Sequence, residues 1–273
     1  MNSTFDSGRF GKYLSYDLTR SWQNAGLTVL INACMPIFTF VIAEMFALVF
    51  VHHLVTVPVW AIIIAYFVSM TIVILSFPVR QYGSLTDRSS GSDWLLLPAS
   101  QLEKFLSILI ITCLVVPAVW LAIIAASDGL LSLVFPNLYE KMALPVAIGG
   151  LLESFGELKS EGLTLFIGPI PALWLSWCSN ILFFTLASIF FRKYKIVYGF
   201  LVIMGLSMGL TMLSVALLGS RVIDGDLLIG PDSSTITPEV VSYWFNVFLT
   251  CLYVIEFSLL LGGIWLRIKT LKH

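Results

Sequence analysis

Six apolar stretches constrain this chain more than any other feature of its sequence. They cover residues 26–50, 58–77, 105–126, 171–191, 196–218 and 243–266. Each is close to the roughly 20 residues that a helix needs to cross the hydrocarbon core of a bilayer. Hydrophobic residues make up 58% of the 273 and charged residues 11%, too much apolar surface for a soluble domain to bury. The sequence therefore predicts an all-α integral membrane protein, with residues 1–273 forming one transmembrane domain of six transmembrane helices.

The basic residues predict the orientation of these helices, because Lys and Arg concentrate in cytoplasmic segments. With the N-terminus inside, twelve of the 15 basic residues are cytoplasmic, and only Lys141, Lys159 and Arg221 lie outside. We expect cytoplasmic N and C termini in a multi-pass protein of the cytoplasmic (inner) membrane of a bacterium. The first residues lack the basic-then-apolar order of a cleaved signal peptide, so the first span is expected to remain in the mature protein.

The segment before the first span predicts an amphipathic helix over residues 9–22. Its apolar side comprises Phe10, Tyr13, Leu14, Leu18 and Trp22, and its polar side comprises Arg9, Lys12, Thr19 and Arg20. Asp17 interrupts the apolar side. The pattern is typical of a helix that lies along the cytoplasmic leaflet. A frayed polar tail is the alternative.

The connections on the outer side are acidic. The loop over residues 127–170 carries Asp128, Glu140, Glu153, Glu157 and Glu161. We expect it to form helices that rest on the outer leaflet rather than a seventh span, because so many charges are costly in hydrocarbon. The outer loop over residues 219–242 is also acidic and is interrupted by Gly and Pro. On the inner side, a tight basic turn over residues 192–195 joins spans four and five.

The cytoplasmic stretch 80–104 contains a short apolar segment fixed to the start of a span. This segment is Trp94, Leu95, Leu96 and Leu97, followed by Pro98. Ser100 and Glu103 have the spacing of a capping box, which predicts that a long helix begins at about Ser100 and continues into the membrane. Such an element suits contact with a soluble partner. The alternative is that Trp94 and the leucines rest among lipid headgroups as an anchor.

The sequence WLLLPASQLEKFLSI at residues 94–108 resembles the entry to the third span in permease subunits of the type-2 ABC transporter (exporter) family. The predicted layout of the chain is similar as well. The resemblance implies that residues 9–22 form an elbow helix, with Phe10, Leu14, Leu18 and Trp22 as its apolar side, and that the coupling loop 80–104 carries a cytoplasmic coupling helix. It implies that the residues coupling to the ATPase subunit are Trp94, Leu95, Leu96, Leu97, Pro98, Ser100, Glu103 and Lys104. Unlike commoner members, this chain has Gln101 and Leu102 where basic residues often stand, and its large outer loop lies between spans three and four.

The sequence contains no P-loop, since the nearest approach, residues 8–13, has the wrong spacing and no hydroxyl after its lysine. We expect a transport subunit that is not an enzyme and needs no cofactor. Its partners would be an ATP-binding cassette ATPase subunit at the cytoplasmic face, a second permease in a homodimer or heterodimer, and membrane lipid. Polar residues expected around the ATPase contact are Arg80, Asp87, Arg88, Asp93 and Lys104. A net charge of −1 does not indicate nucleic acid as a partner.

Two carboxylates inside spans are candidates for a transport pathway, Glu256 near the middle of span six and Glu44 nearer the outer end of span one. A buried carboxylate is costly unless it is paired or protonated. The alternative is an acid hydrogen-bonded to a neighbouring helix. The two residues also define a second function, a proton- or ion-coupled secondary transporter. A third is a membrane assembly protein whose acidic outer loops bind an extracytoplasmic partner.

The remaining motifs favour structural roles. The pattern Gly205-x-Ser207-x-Gly209 matches a hydrolase motif but lacks the preceding strand, and we expect a close helix contact there instead. His52 and His53 are expected to be surface residues. The four cysteines, Cys34, Cys113, Cys178 and Cys251, are expected to be small core residues, and no metal site is predicted. Pro36 and Pro117 predict helix kinks.

Overall fold

The computed structural model describes residues 5–86, 96–139, 141–160, 166–223 and 238–270, and no strand occurs within these ranges. The α-helices are α1 (Ser7–Ser21), α2 (Leu27–Ala33), α3 (Met35–Phe50), α4 (Val59–Tyr82), α5 (Gln101–Ile110), α6 (Val116–Val134), α7 (Ala143–Ser160), α8 (Pro169–Phe190), α9 (Lys195–Ile223) and α10 (Pro238–Thr270). Trp22–Gly26 and Ile111–Val115 are π-helical, and Gly83–Thr86 is a 3₁₀ turn. The predicted all-α class is confirmed.

Four helical segments are long and apolar enough to cross a membrane, namely Val59–Thr86, Gln101–Val134, Pro169–Phe190 and Asn246–Thr270. A fifth is obtained if Ser7–Ala33 and Met35–Phe50 count as one bent span. These numbers refer to the part of the chain that the structure describes, where Lys195–Gly209 is a shorter apolar helix. The chain therefore has the helices of a multi-pass membrane protein, with four or five candidate spans.

The first predicted span is bent. Helices α2 and α3 meet at Cys34 at an angle of 42°. Pro36 is the second residue of α3, where its ring and missing N–H prevent a regular helix from continuing through this point. The kink predicted at Pro36 is confirmed. Pro117 is likewise the second residue of α6, directly after the π-helical segment Ile111–Val115.

The N-terminal helix continues into the first span. Helix α1 passes through the π-helical segment into α2, and the first break is at Cys34. Its buried side comprises Tyr13, Asp17 and Ser21, whereas Leu18 and Trp22 of the predicted apolar side are exposed. Asp17, which was predicted to interrupt the apolar side, lies together with Tyr13 on the side that packs against other helices.

Helix α8 lies at the centre of the bundle and packs against α4, α9 and α10. The ring of Trp177 on α8 lies 5.3 Å from that of Trp120 on α6. Trp120 Nε1 donates to Ser69 Oγ on α4 at 2.9 Å, so three helices meet around this pair. In contrast, most described side chains of α9 and α10 are exposed within the single chain. The core thus lies mainly among α2 to α8, and α10 adds Leu260, Ile264 and Ile268 to it.

Candidate functional site

The foot of α5 carries the capping box that the sequence predicts. Ser100 Oγ accepts a hydrogen bond from the Glu103 backbone N–H at 3.3 Å, and Glu103 Oε2 accepts one from the Ser100 backbone N–H at 2.8 Å. These two bonds satisfy donors that a helix N-terminus otherwise leaves free. They fix the chain direction at the entry to the span, which confirms the predicted helix start.

The same Glu103 carboxylate also binds the start of α1. Arg9 Nη2 donates to Oε1 at 2.7 Å, and Arg9 Nε donates to Oε2 at 2.9 Å. The Asp6 backbone N–H donates to Oε1 at 3.1 Å, and the Asp6 side chain in turn accepts from Gly8 N–H at 2.8 Å as the N-cap of α1. Glu103 is completely shielded from solvent. One carboxylate therefore joins two helix N-termini through charge-assisted bonds.

A second set of polar side chains continues this connection into the bundle. Asp17, 3% exposed, accepts from Ser107 Oγ on α5 at 2.6 Å and from Gln81 Nε2 on α4 at 3.3 Å. Asn24 Nδ2 donates to Gln81 Oε1 at 3.2 Å. Buried polar groups are costly when unpaired, and here they pair across α1, α4, α5 and the π-helical segment before α2. We call Arg9, Asp17, Gln81, Glu103 and Ser107 the polar joint.

The turn between α8 and α9 binds to the same end of α4. Lys195, the first residue of α9, donates through Nζ to the Gly83 carbonyl and to Thr86 Oγ1, the latter at 2.8 Å. A cation next to the last carbonyls of a helix is favourable because those carbonyls carry partial negative charge. The basic turn of the sequence thus has a structural role at this residue.

The predicted coupling residues that the structure describes differ in how exposed they are. Leu96 is 80% exposed and Pro98 is exposed, while Leu97 packs against the core. Trp94 and Leu95 lie outside the described residues, as do Asp87, Arg88 and Asp93 of the expected rim.

Glu103 and Lys104 are buried within the chain, because the first turn of α5 directs both side chains into the protein. Glu103 there binds Arg9 of α1. Their role in coupling to an ATPase subunit stays a prediction.

The two candidate pathway carboxylates have different surroundings. Ser179 Oγ on α8 donates to Glu256 Oε1, and Glu256 is otherwise exposed on α10. This bond matches the reading of Glu256 as an acid bonded to a neighbouring helix. Glu44 is 8% exposed, and neither of its carboxylate oxygens has a hydrogen-bond partner in the described part of the chain.

The other motifs add no catalytic arrangement. Ser207 Oγ donates to the Met204 carbonyl at 2.9 Å within α9, as serines in helices commonly do. A Cβ at Gly205 or Gly209 would meet no described atom within 4 Å, so the close helix contact expected there is not formed within the described single chain. His52 and His53 are exposed, as expected.

The cysteines and other possible metal ligands likewise form no functional group among the described residues. Cys178 is buried and its thiol lies 4.0 Å from the Cys113 carbonyl oxygen, whereas Cys251 is exposed rather than in the core. Among the residues that the structure describes, no group of three His, Cys, Asp or Glu side chains could hold a metal ion.

The opposite end of the bundle is held by a different carboxylate. Helix α6 extends beyond the predicted end of span three at residue 126, so Asp128 lies on the helix and is buried. It accepts from the Tyr139 hydroxyl and from the Ala143 and Leu144 backbone N–H groups, both at 3.0 Å. Burial, together with the Asp128 carboxylate, raises the pKa of the Tyr139 hydroxyl above its usual range. We call this arrangement the Asp128 cap.

Sequence reasoning missed the polar joint, although one signal was present. An aspartate on the apolar side of an amphipathic helix needs partners if that side is buried, and Asp17 was such a residue. Nothing local pairs Arg9 with Glu103, which stand 94 positions apart.

Comparisons with protein-family models, with curated proteins and with solved structures found no match to this chain.

Proposed function

We propose that this chain is the permease subunit of an ABC exporter that is driven by a separate ATP-binding cassette subunit. The observation that carries the proposal is the Glu103 carboxylate, which bonds the foot of α5 to the N-terminus of α1. In this proposal the chain has six spans with both termini in the cytoplasm, α1 is the elbow helix, and the ATPase docks beside Leu96.

The contacts of the polar joint support a role in transmitting movement. The exposed Leu96 and Pro98 stand directly before the capped start of α5. A displacement of this foot would be passed to α1 through Glu103, and to α4 through Asp17 and Gln81. Because side-chain hydrogen bonds connect the three elements directly, a push on the foot would move them together.

The distribution of charge supports placing this end in the cytoplasm. The polar joint, the Lys195 contact and Arg267, whose Nε donates to the Ile189 carbonyl at 3.2 Å, all lie at the end of the bundle where α4 and α8 finish and α5 and α9 begin. Clustered Arg and Lys at one end of the helices is typical of the cytoplasmic side.

The position of Glu256 supports a second permease as a partner. Glu256 lies on the exposed side of α10, next to exposed Val254 and Ile255. A carboxyl group in the middle of a span is unfavourable when it faces lipid tails. We therefore propose that this side of α10 faces a second permease and the transport pathway between the two copies.

A pair of leucine substitutions tests the docking site. Leu96→Asp places a charge in the proposed contact and is expected to abolish co-purification of the ATPase subunit, identified by the P-loop peptide in mass spectrometry, because an unpaired charge in an interface costs several kcal/mol. Leu133→Asp is the matched control, since Leu133 is 82% exposed at the opposite end of α6. Both variants should insert normally into the membrane. If equal amounts of the ATPase subunit co-purified with Leu96→Asp and Leu133→Asp, the proposed docking site would be wrong.

One observation favours a second candidate function, a proton-coupled secondary transporter. Glu44 is buried and its oxygens have no partner in the described residues, as expected of a group that exchanges protons. In that case the purified chain alone would transport substrate along a proton gradient, and Glu44→Gln would stop this transport. Transport that requires both ATP and the ATPase subunit would exclude it.

A further inference from the structure

An apolar groove with a cation at one end lies between α8, α9 and α10. Its volume is about 510 Å³. Phe183, Leu186 and Phe190 of α8 line it together with Val202 of α9 and Leu266 of α10. Arg267 is the charged residue of the lining, and none of the described lining residues carries a negative charge. The groove therefore joins a long apolar surface to a single positive group.

Arg267 is held in position by two contacts that leave part of its guanidinium free. Its Nε donates to the Ile189 carbonyl near the end of α8, and its guanidinium carbon lies 5.7 Å from the centre of the Phe190 ring. In the described residues neither Nη group has a hydrogen-bond partner. A guanidinium that is fixed through Nε can bind a phosphate through its outer nitrogens with little further loss of side-chain freedom.

The location of the groove identifies the kind of ligand that fits. Arg267 is in the last turn of α10, so it lies at the level of the lipid headgroups, while the apolar lining extends along the helices toward the hydrocarbon. Arg192 and Lys193 are exposed in the turn that follows α8, and Lys269 is exposed near the end of α10. Basic groups at such a place attract anionic headgroups.

We propose that this groove is a binding site for an anionic phospholipid of the surrounding leaflet. One acyl chain occupies the apolar groove, and the phosphate binds the Nη groups of Arg267. The charge complementarity of Arg267 and the apolar lining together favour a phospholipid over a free phosphate, which would leave the groove uncovered. The proposal goes beyond the proposed transport function and does not depend on an ATPase.

The experiment uses the full-length chain in neutral detergent, and native mass spectrometry measures the binding of dioleoyl phosphatidylglycerol and dioleoyl phosphatidylcholine. The two lipids have the same acyl chains, so their difference reports on headgroup charge. The wild type is expected to prefer phosphatidylglycerol. Arg267→Gln is expected to weaken phosphatidylglycerol binding about tenfold, since a charge-assisted bond contributes about that factor. Arg267→Lys should retain much of the preference.

Matched controls separate the site from general charge and general apolar surface. Arg192→Gln removes an exposed charge that does not line the groove, and it should weaken phosphatidylglycerol binding much less than Arg267→Gln. Val202→Trp fills the groove and should weaken both lipids, whereas Val197→Trp alters an exposed valine of α9 that does not line it. Equal binding by Arg267→Gln and Arg192→Gln, or by Val202→Trp and Val197→Trp, would overturn the proposal.

Discussion

Buried carboxylates lie at both ends of the bundle, but those of the two ends join different parts of the chain. At the polar joint, Glu103 binds Arg9 and Asp17 binds Ser107, residues 94 and 90 positions apart. At the Asp128 cap, the partners stand only 11 to 16 positions away. The first end therefore joins helices that are distant in sequence, whereas the second joins α6 to the loop and the start of α7 that directly follow it. This difference is what the proposed coupling role requires.

The largest effect is expected from removing the charge of Glu103. Glu103→Gln cannot form the ion pair with Arg9, and its single amide oxygen can accept from the backbone N–H of Ser100 or of Asp6 but not from both, so we expect a loss of about 2 kcal/mol in the free energy of unfolding. Amide hydrogen exchange measured by mass spectrometry should rise throughout Ser7–Ser21. Glu153→Gln is the control, because Glu153 is exposed on α7. Unchanged exchange in α1 would show that Glu103 does not hold that helix.

A smaller and local effect is expected at the other end. Asp128→Asn replaces one of the two carboxylate oxygens with an amide NH₂ group, which donates and cannot accept from the Tyr139 hydroxyl or the backbone N–H groups. We expect a loss of about 1 kcal/mol in the free energy of unfolding. The faster amide exchange should be confined to the loop after α6 and to Ala143–Ser160. If α1 also exchanged faster, the two ends would not be separate structural units, and the comparison would fail.

The smallest effect is expected inside the polar joint. Ser107→Ala removes one of the two side chains that donate to Asp17, while Gln81 still donates. We therefore expect a loss of about 1 kcal/mol or less in the free energy of unfolding. Ser154→Ala is the matched control, because among the described residues Ser154 donates only to the Gly150 carbonyl of its own exposed helix. Thermal unfolding in detergent measures both variants. An equal shift in both would mean that Asp17 does not depend on the bond from α5.

The sequence predicted what depends on local pattern and failed where distant segments meet. The Ser100 and Glu103 spacing and the position of Pro36 each act within a few residues, and each was predicted correctly. The apolar runs correctly predicted an all-α class with several membrane-spanning helices, of which four or five candidates are found among the described residues. The partners of Glu103 and Asp17 depend on how helices pack, which periodicity does not determine. For the same reason the sequence did not predict that α5 directs Lys104 inward.

The π-helical segment Trp22–Gly26 determines the direction in which the residues of α1 face. A π-turn accommodates one residue more than an α-turn, and each α-helical residue advances by about 100° around the axis. If the same five residues formed a regular α-helix instead, everything upstream would be rotated by about that angle. Arg9 and Asp17 would then point away from α5, even though every side chain of both helices was still present. The rotation of α1 about its own axis is thus as important to the polar joint as the charges of its side chains.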